Sequence, residues 1–135
     1  MKYLVDANVL CEVTRPEPRP TVVEWLRKHE RDIVVTPIVL GEIEYGIGLI
    51  PSARKRRTLE IWFAEGMQRL RVVDLDAGTA SVWAALLVRL KKKGRAMPVK
   101  DSLIAASALQ HRLTVVTRNL SDFQNAGVPL INPFE

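Results

Sequence analysis

Cysteine is almost absent from this 135-residue chain. Cys11 stands alone, so no intramolecular disulfide can form. A fold of this length buries roughly two thirds of its unfolded surface and needs no cross-link. A reducing cytosol is the compartment this suggests. Next to Val9-Leu10, the Cys11 thiol reads as a small buried hydrophobe rather than a nucleophile. Histidine is scarce as well. His29 lies in Arg27-Lys28-His29-Glu30-Arg31 and reads as solvated, and His111 ends a helical pattern, where the helix dipole is reason enough for it. A ribonuclease built on two acid–base histidines is thereby excluded. Long apolar runs are missing too. Residues 33–43 are broken by Thr36 and Pro37, residues 82–88 are short, and a spanning helix needs roughly 20 apolar residues. Tyr3-Leu4-Val5 meets Asp6 too soon to be a signal-peptide core. No membrane or export segment is expected. No GxxxxGK[ST] loop occurs, which excludes a P-loop nucleotidase. Asp6-Ala7-Asn8 lacks both the second acid of an aspartyl-phosphate phosphatase and the adjacent acids of a phosphoacceptor receiver domain.

What the chain does have is a packed-globule balance, 47% apolar and 26% charged, and a net charge of +5. One domain spanning residues 1–135 is expected. The cations cluster as Arg54-Lys55-Arg56-Arg57 and as Lys91-Lys92-Lys93 with Arg95, with Arg69, Arg71, Arg112 and Arg118 standing singly. Clustered cations on a small domain suit a polyanion, and they equally suit a solvated surface.

Apolar runs alternate with helical patterns. Strands are expected at residues 2–5, 33–35, 71–75 and 114–117, with a short fifth at 129–131. Pro20 opens a helix with Val22, Val23 and Leu26 on its apolar side. Thr36-Pro37 caps and starts the next, with Ile38, Tyr45 and Leu49 in register. Pro51-Ser52 restarts the chain into a helix carrying Leu59, Trp62, Phe63 and Leu70. Residues 77–93 form another, with Ala80, Trp83, Leu87 and Leu90 inward and Gly94 as its stop. Pro98 starts one more, ending near His111. This alternation predicts an α/β three-layer sandwich, a central mostly parallel sheet of about five short strands flanked by helices. Such sheets bind ligands beyond the carboxyl ends of their strands.

Four acids fall where that rule points. Asp6 follows the first strand, Glu42 lies in the helix after the second, Asp101 lies in the first turn after Pro98, and Asp122 follows the fourth strand. Glu42 and Glu44 are about 200° apart on a helix, so only one can face a common site. Glu42 is the choice, because Gly46 one turn on would let another backbone approach that face. Ala105 and Ala108 share Asp101's helix face and would seat it tightly. Converging carboxylates raise one another's pKa unless a cation joins them, and Mg²⁺ or Mn²⁺ prefers such ligands. Each acid also has an ordinary reading. Asp6 fits a helix cap, Glu42 a solvated helix acid, Asp101 a dipole partner and Asp122 an Asx turn.

Taken together, the motifs resemble those of PIN-domain proteins. Val5-Asp6-Ala7-Asn8-Val9 is similar to the opening motif, and Thr36-Pro37-Ile38-Val39-Leu40-Gly41-Glu42 through Tyr45-Gly46 to the second. Gly94-Arg95 to Pro98 with Asp101-Ser102-Leu103-Ile104-Ala105-Ala106 resembles the third. Val116-Thr117-Arg118-Asn119, Asp122-Phe123 and the Ile131-Asn132-Pro133-Phe134 ending resemble the last. The likeness spans nearly the whole chain in order, and points to VapC- and FitB-like toxins of type II toxin–antitoxin modules. The family departs from this chain at Ala7, where many relatives carry Thr, and at Asn119, where some carry an acid.

The resemblance implies a Mg²⁺- or Mn²⁺-dependent endoribonuclease, a hydrolase that cuts RNA with a metal-activated water and leaves a 5′ phosphate. Asp6, Glu42, Asp101 and Asp122 would be its catalytic acids, with Asp6, Asp101 and Asp122 as metal ligands. Asn8, Thr36, Thr117 and Asn119 would be polar supports, and Arg95 and Arg118 RNA contacts. Without the four acids the chain carries +9, twenty cations against eleven acids, which suits RNA. A cognate antitoxin protein, a homodimer and DNA contact only through the antitoxin are implied. Leu59, Trp62 and Phe63 are candidate partner contacts. The alternative is a non-catalytic nucleic-acid- or antitoxin-binding module.

Overall fold

A computed structural model describes residues 1–135. Five strands, β1 (Tyr3–Val5), β2 (Ile33–Val35), β3 (Arg71–Val72), β4 (Thr114–Val116) and β5 (Leu130–Ile131), form one sheet in the order β3-β2-β1-β4-β5. Every neighbouring pair is parallel. The sandwich expected from alternation is therefore the observed fold, with all pairings parallel. The third strand is shorter than residues 71–75. Val73 still donates its N–H to Val35 O at 2.8 Å, but Asp74 and Leu75 leave the ladder before the next helix begins at Ala77.

Seven α-helices surround the sheet: α1 (Ala7–Leu10), α2 (Pro20–Lys28), α3 (Pro37–Gly48), α4 (Ala53–Met67), α5 (Ala77–Lys92), α6 (Val99–His111) and α7 (Leu120–Phe123). Their starts are chemically marked. Pro20 and Pro37 sit in the first turns of α2 and α3, and the Thr36 hydroxyl accepts from Val39 N–H. Asp76 and Thr79 close a reciprocal capping box on α5. Gly94, at φ +65°, ends α5 in the left-handed conformation, as its position suggested.

Alternate strand residues feed two cores. Leu4, Val34 and Val115 join α3, α5, α6 and Phe123 in the larger one. Val5, Ile33 and Val116 join Val9, Val22 and Phe134 in the smaller, on the α1–α2 side. Several inward faces differ from expectation. In α3 the buried stripe is Val39, Leu40, Ile43 and Ile47, whereas Tyr45 and Leu49 are exposed. In α5 it is Thr79, Leu86 and Leu90, with Trp83 half-buried, whereas Ala80 and Leu87 face solvent. In α2 Val22 is buried but Val23 is exposed, and Trp25 takes the inner side instead. His29 is half-buried, not solvated: it stacks on Trp25 at 4.3 Å, meets Tyr3 edge-on and bonds Trp25 O through Nδ1 at 2.8 Å.

The strand order fixes where a ligand can bind. From β1 the chain moves outward through β2 to β3, then returns to the other side of β1 for β4 and β5. The connections leaving β1 and β4 thus diverge, and the crevice at their carboxyl ends is the topological switch point.

Candidate functional site

β1 and β4 pair Val5 with Val116, so Asp6 and Thr117 leave the sheet side by side at that switch point. Asp6 N–H donates to Val116 O at 2.9 Å, which holds the pair in register. Asp6 is nearly sealed, 5% exposed, and bonds from three neighbours to its carboxylate explain how it survives there. Oδ1 accepts the Ala7 N–H at 2.8 Å, which also caps α1. Oδ2 accepts the Thr117 hydroxyl at 2.8 Å and the Asn8 side-chain amide at 3.3 Å. The cap reading of Asp6 is borne out, and the same carboxylate stands at the switch-point crevice.

Thr117 and Asn8 tie that corner together. The Thr117 hydroxyl accepts the Asn119 N–H at 3.1 Å while donating to Asp6. Asn8 Oδ1 accepts the Arg118 N–H at 3.1 Å. The Arg118 guanidinium lies 4.8 Å over the Phe134 ring, so the C-terminal tail packs beside the site. Two proposed supports act differently. Thr36 is fully buried and spends its hydroxyl on capping α3, while Asn119 contributes its backbone N–H and leaves its exposed side chain free. Arg95 is exposed at the end of the α5–α6 turn, and its N–H closes onto Leu90 O.

Asp101 occupies the first turn of α6. Ala105 and Ala108 on its face are buried, and Trp83 Nε1 donates to Ser102 Oγ at 2.9 Å, which binds α6 to α5. The carboxyl is pushed up from 3.8 to about 6, first by burial, then by the charges of Asp6, Asp122 and Glu42, with Lys100 opposing. All four acids named from the sequence therefore face one field. Asp122 reaches it from α7, whose Phe123 is anchored in the core. Glu42 reaches it from α3. Its Oε1 is buried without a hydrogen-bond partner, and its Oε2 lies 3.2 Å from Lys100 Nζ. Sequence reasoning overlooked Lys100. Its one signal was a cation at a helix N-terminus, where the dipole disfavours it.

Gly46 plays a different part from the one expected. A side chain built there would meet nothing within 4 Å, so no backbone approaches it. It lines an open groove of about 560 Å³, with Asn8, Cys11, Glu42, Lys55, Leu59 and Trp62 among the walls. Phe63 lies outside this groove. Burial, then Glu42 and Asp6, raise the Cys11 thiol, which keeps it protonated and unreactive. Glu12, also missed, is 4% exposed. It accepts the Arg19 N–H at 2.8 Å and staples the turn before α2.

No three acid, histidine or cysteine side chains stand close enough to share one ion directly. Asp6, Asp101 and Asp122, the ligands that the resemblance implies, would therefore have to reach one ion partly through water. The donor chemistry still fits a hard cation. Mg²⁺ keeps several waters and takes only one or two carboxylates; Asp6, Asp101 and Asp122 have no cationic side-chain partner, and the raised Asp101 marks missing positive charge.

These observations define an α/β protein with an acidic crevice at the switch point of a parallel sheet. The PIN domain model matches residues 3–128, and the chain belongs to that family. It is 32% identical to toxin FitB of Neisseria gonorrhoeae over 97% of both chains. It is also 32% identical to the VapC ribonuclease Y4jK of Sinorhizobium fredii, over 98% of this chain and 97% of that one. Its fold superposes on the crystal structure of FitAcB from Neisseria gonorrhoeae with a TM-score of 0.93 at 31% identity, covering 98% of this chain and 99% of the other. No helix is long and apolar enough to cross a membrane.

Proposed function

We propose that this protein is an endoribonuclease that acts as the toxin of a type II toxin–antitoxin pair, hydrolysing RNA phosphodiester bonds with the help of Mg²⁺ or Mn²⁺. The carrying observation is Asp101: its carboxyl is raised to about 6, first by burial and then by the charges of Asp6, Asp122 and Glu42, which face it across one crevice. Such a cluster is costly without a cation and useful with one. Asp6, Asp101 and Asp122 would hold the ion, partly through water. When bound, it supplies positive charge beside the scissile phosphate and acidifies water.

The chain's own residues do the rest. Thr117 and Asn8 lock the Asp6 carboxylate in one orientation through bonds of 2.8 and 3.3 Å. Arg118, exposed at the rim and braced by Phe134, would meet the RNA backbone. Glu42 or Asp101 would orient the attacking water. The relatives named as a ribonuclease and a toxin support carrying this activity to the chain.

The groove between α1, α3 and α4 supports the partner half of the reading. It runs from the crevice at Asn8 and Glu42 to Leu59 and Trp62 on α4, a helix with no buried residue of its own. An antitoxin segment laid there would cover α4 and block the crevice together. The test is end-mapped cleavage of total cellular RNA by the purified protein. Discrete 5′-phosphate ends should appear with Mn²⁺, vanish with EDTA, and be lost in Asp101→Asn. RNA held tightly but left intact in the presence of metal would instead favour the binding-module reading.

A further inference from the structure

Lys100 stands in the wrong place for a surface lysine. It is the second residue of α6, where the helix dipole repels a cation. Its sequence neighbour Asp101 belongs there and Lys100 does not. What offsets the repulsion is Glu42, on a different helix and 58 positions away, whose Oε2 lies 3.2 Å from Nζ. No other acid of the crevice has a cationic side-chain partner, and the bonds to Asp6 come from neutral groups. The crevice is thus divided. Asp6, Asp101 and Asp122 have no ion-pair partner, while Glu42 already has one.

We infer that the Lys100 ammonium is a built-in counter-ion that reserves Glu42 and limits the crevice to a single divalent cation. This rests on the metal-dependent reading above. A second ion would need Glu42 as its ligand, since Asp6 already shares its oxygens with Ala7, Asn8 and Thr117. To bind Glu42 it would have to displace the ammonium or sit beside it, and like charges at that spacing repel strongly in a half-buried cleft. Lys100 is therefore a positioning residue. It holds Glu42 in place and keeps it off the metal.

The experiment counts Mn²⁺ bound per chain at pH 8, by electron paramagnetic resonance of the free ion and by calorimetry. Wild type should bind one ion, Lys100→Met and Lys100→Gln two, and Lys100→Arg one. Adding Glu42→Gln to Lys100→Met should bring the count back to one, which places the second ion on Glu42. Circular dichroism checks that each variant is folded. Two ions on wild type, or one on both neutral variants, overturns the inference and leaves the metal reading standing. No Mn²⁺ bound by wild type overturns both.

Discussion

Asn in place of Asp101 should make the metal-free protein more stable while abolishing its activity. The Asp101 carboxyl rises from 3.8 to about 6 because burial and the charges of Asp6, Asp122 and Glu42 oppose its ionisation. Its folded pKa is thus above its unfolded one, so the folded state binds the extra proton between those values. Stability is therefore full below pH 4 and falls as pH rises through about 6. At face value a shift of two units is worth about 3 kcal/mol. Asp101 is only partly buried, and screening halves that to about 1.5 kcal/mol. The charged form also gains about 0.5 kcal/mol from the α6 dipole, which Asn forfeits. The net gain expected for Asp101→Asn at pH 8 is about 1 kcal/mol, or about 3 °C in Tm. The assay is thermal unfolding in EDTA at pH 8 and pH 4.5. The difference should shrink at pH 4.5, where folded wild-type Asp101 is largely protonated, and disappear only below pH 4, where the unfolded chain is protonated too. It should change sign at pH 8 with saturating Mn²⁺, which only wild type can use fully. An Asp101→Asn protein that melts below wild type in EDTA at pH 8 would refute the reasoning, since the four acids would then not strain one another.

Four further outcomes follow from the same corner. Asp6→Asn should melt within about 1 kcal/mol of wild type, since Asn also caps helices, yet lose cleavage. Asp6→Ala should cost about 2 kcal/mol in urea unfolding, because it loses the cap and strands the Thr117 hydroxyl. Thr117→Val should cost about 1–3 kcal/mol and slow cleavage, with Thr117→Ser restoring both, because the hydroxyl bonds Asp6 and the Asn119 N–H at once. Mn²⁺ at about 100 times its Kd should raise wild-type stability by about 2.7 kcal/mol in a thermal scan, and EDTA should reverse this. A wild-type curve indifferent to Mn²⁺ would count against the site.

The sheet was legible because its strands are short β-branched runs set off by Pro, Gly and Asp, and because parallel strands bury both faces. The acids were legible because strand ends in such sheets converge. Helix faces were harder. In α5 two stripes have equal periodicity, and the one chosen was the more apolar. The fold instead buries Thr79, whose hydroxyl is satisfied by Asp76 and Gln110, so a polar residue took an inward position at little cost. In α3 Tyr45 and Leu49 match the helical period yet stay exposed, because the sheet already faces Val39, Ile43 and Ile47. Glu12, His29 and Lys100 escaped for one reason. Each owes its position to a partner that no local pattern announces: the Arg19 N–H, the Trp25 ring and the Glu42 carboxylate.

The ordinary and the chemical readings of each acid turn out not to compete. Asp6 caps α1, and the cap is what aims its second oxygen at Thr117 and the crevice. Asp101 occupies the first turn of α6, and the helix seated on Ala105 and Ala108 is what brings it to the other acids. Asp122 sits beside Phe123, and that buried ring fixes the short α7 carrying it. A loop alone would leave each carboxylate free to swing away from its neighbours, and their repulsion would drive it to do so. Here each one is anchored by hydrogen bonds or packing made elsewhere in the fold. The local structure supplies the free energy that holds the like charges together. The strain at Asp101 is what remains of that opposition.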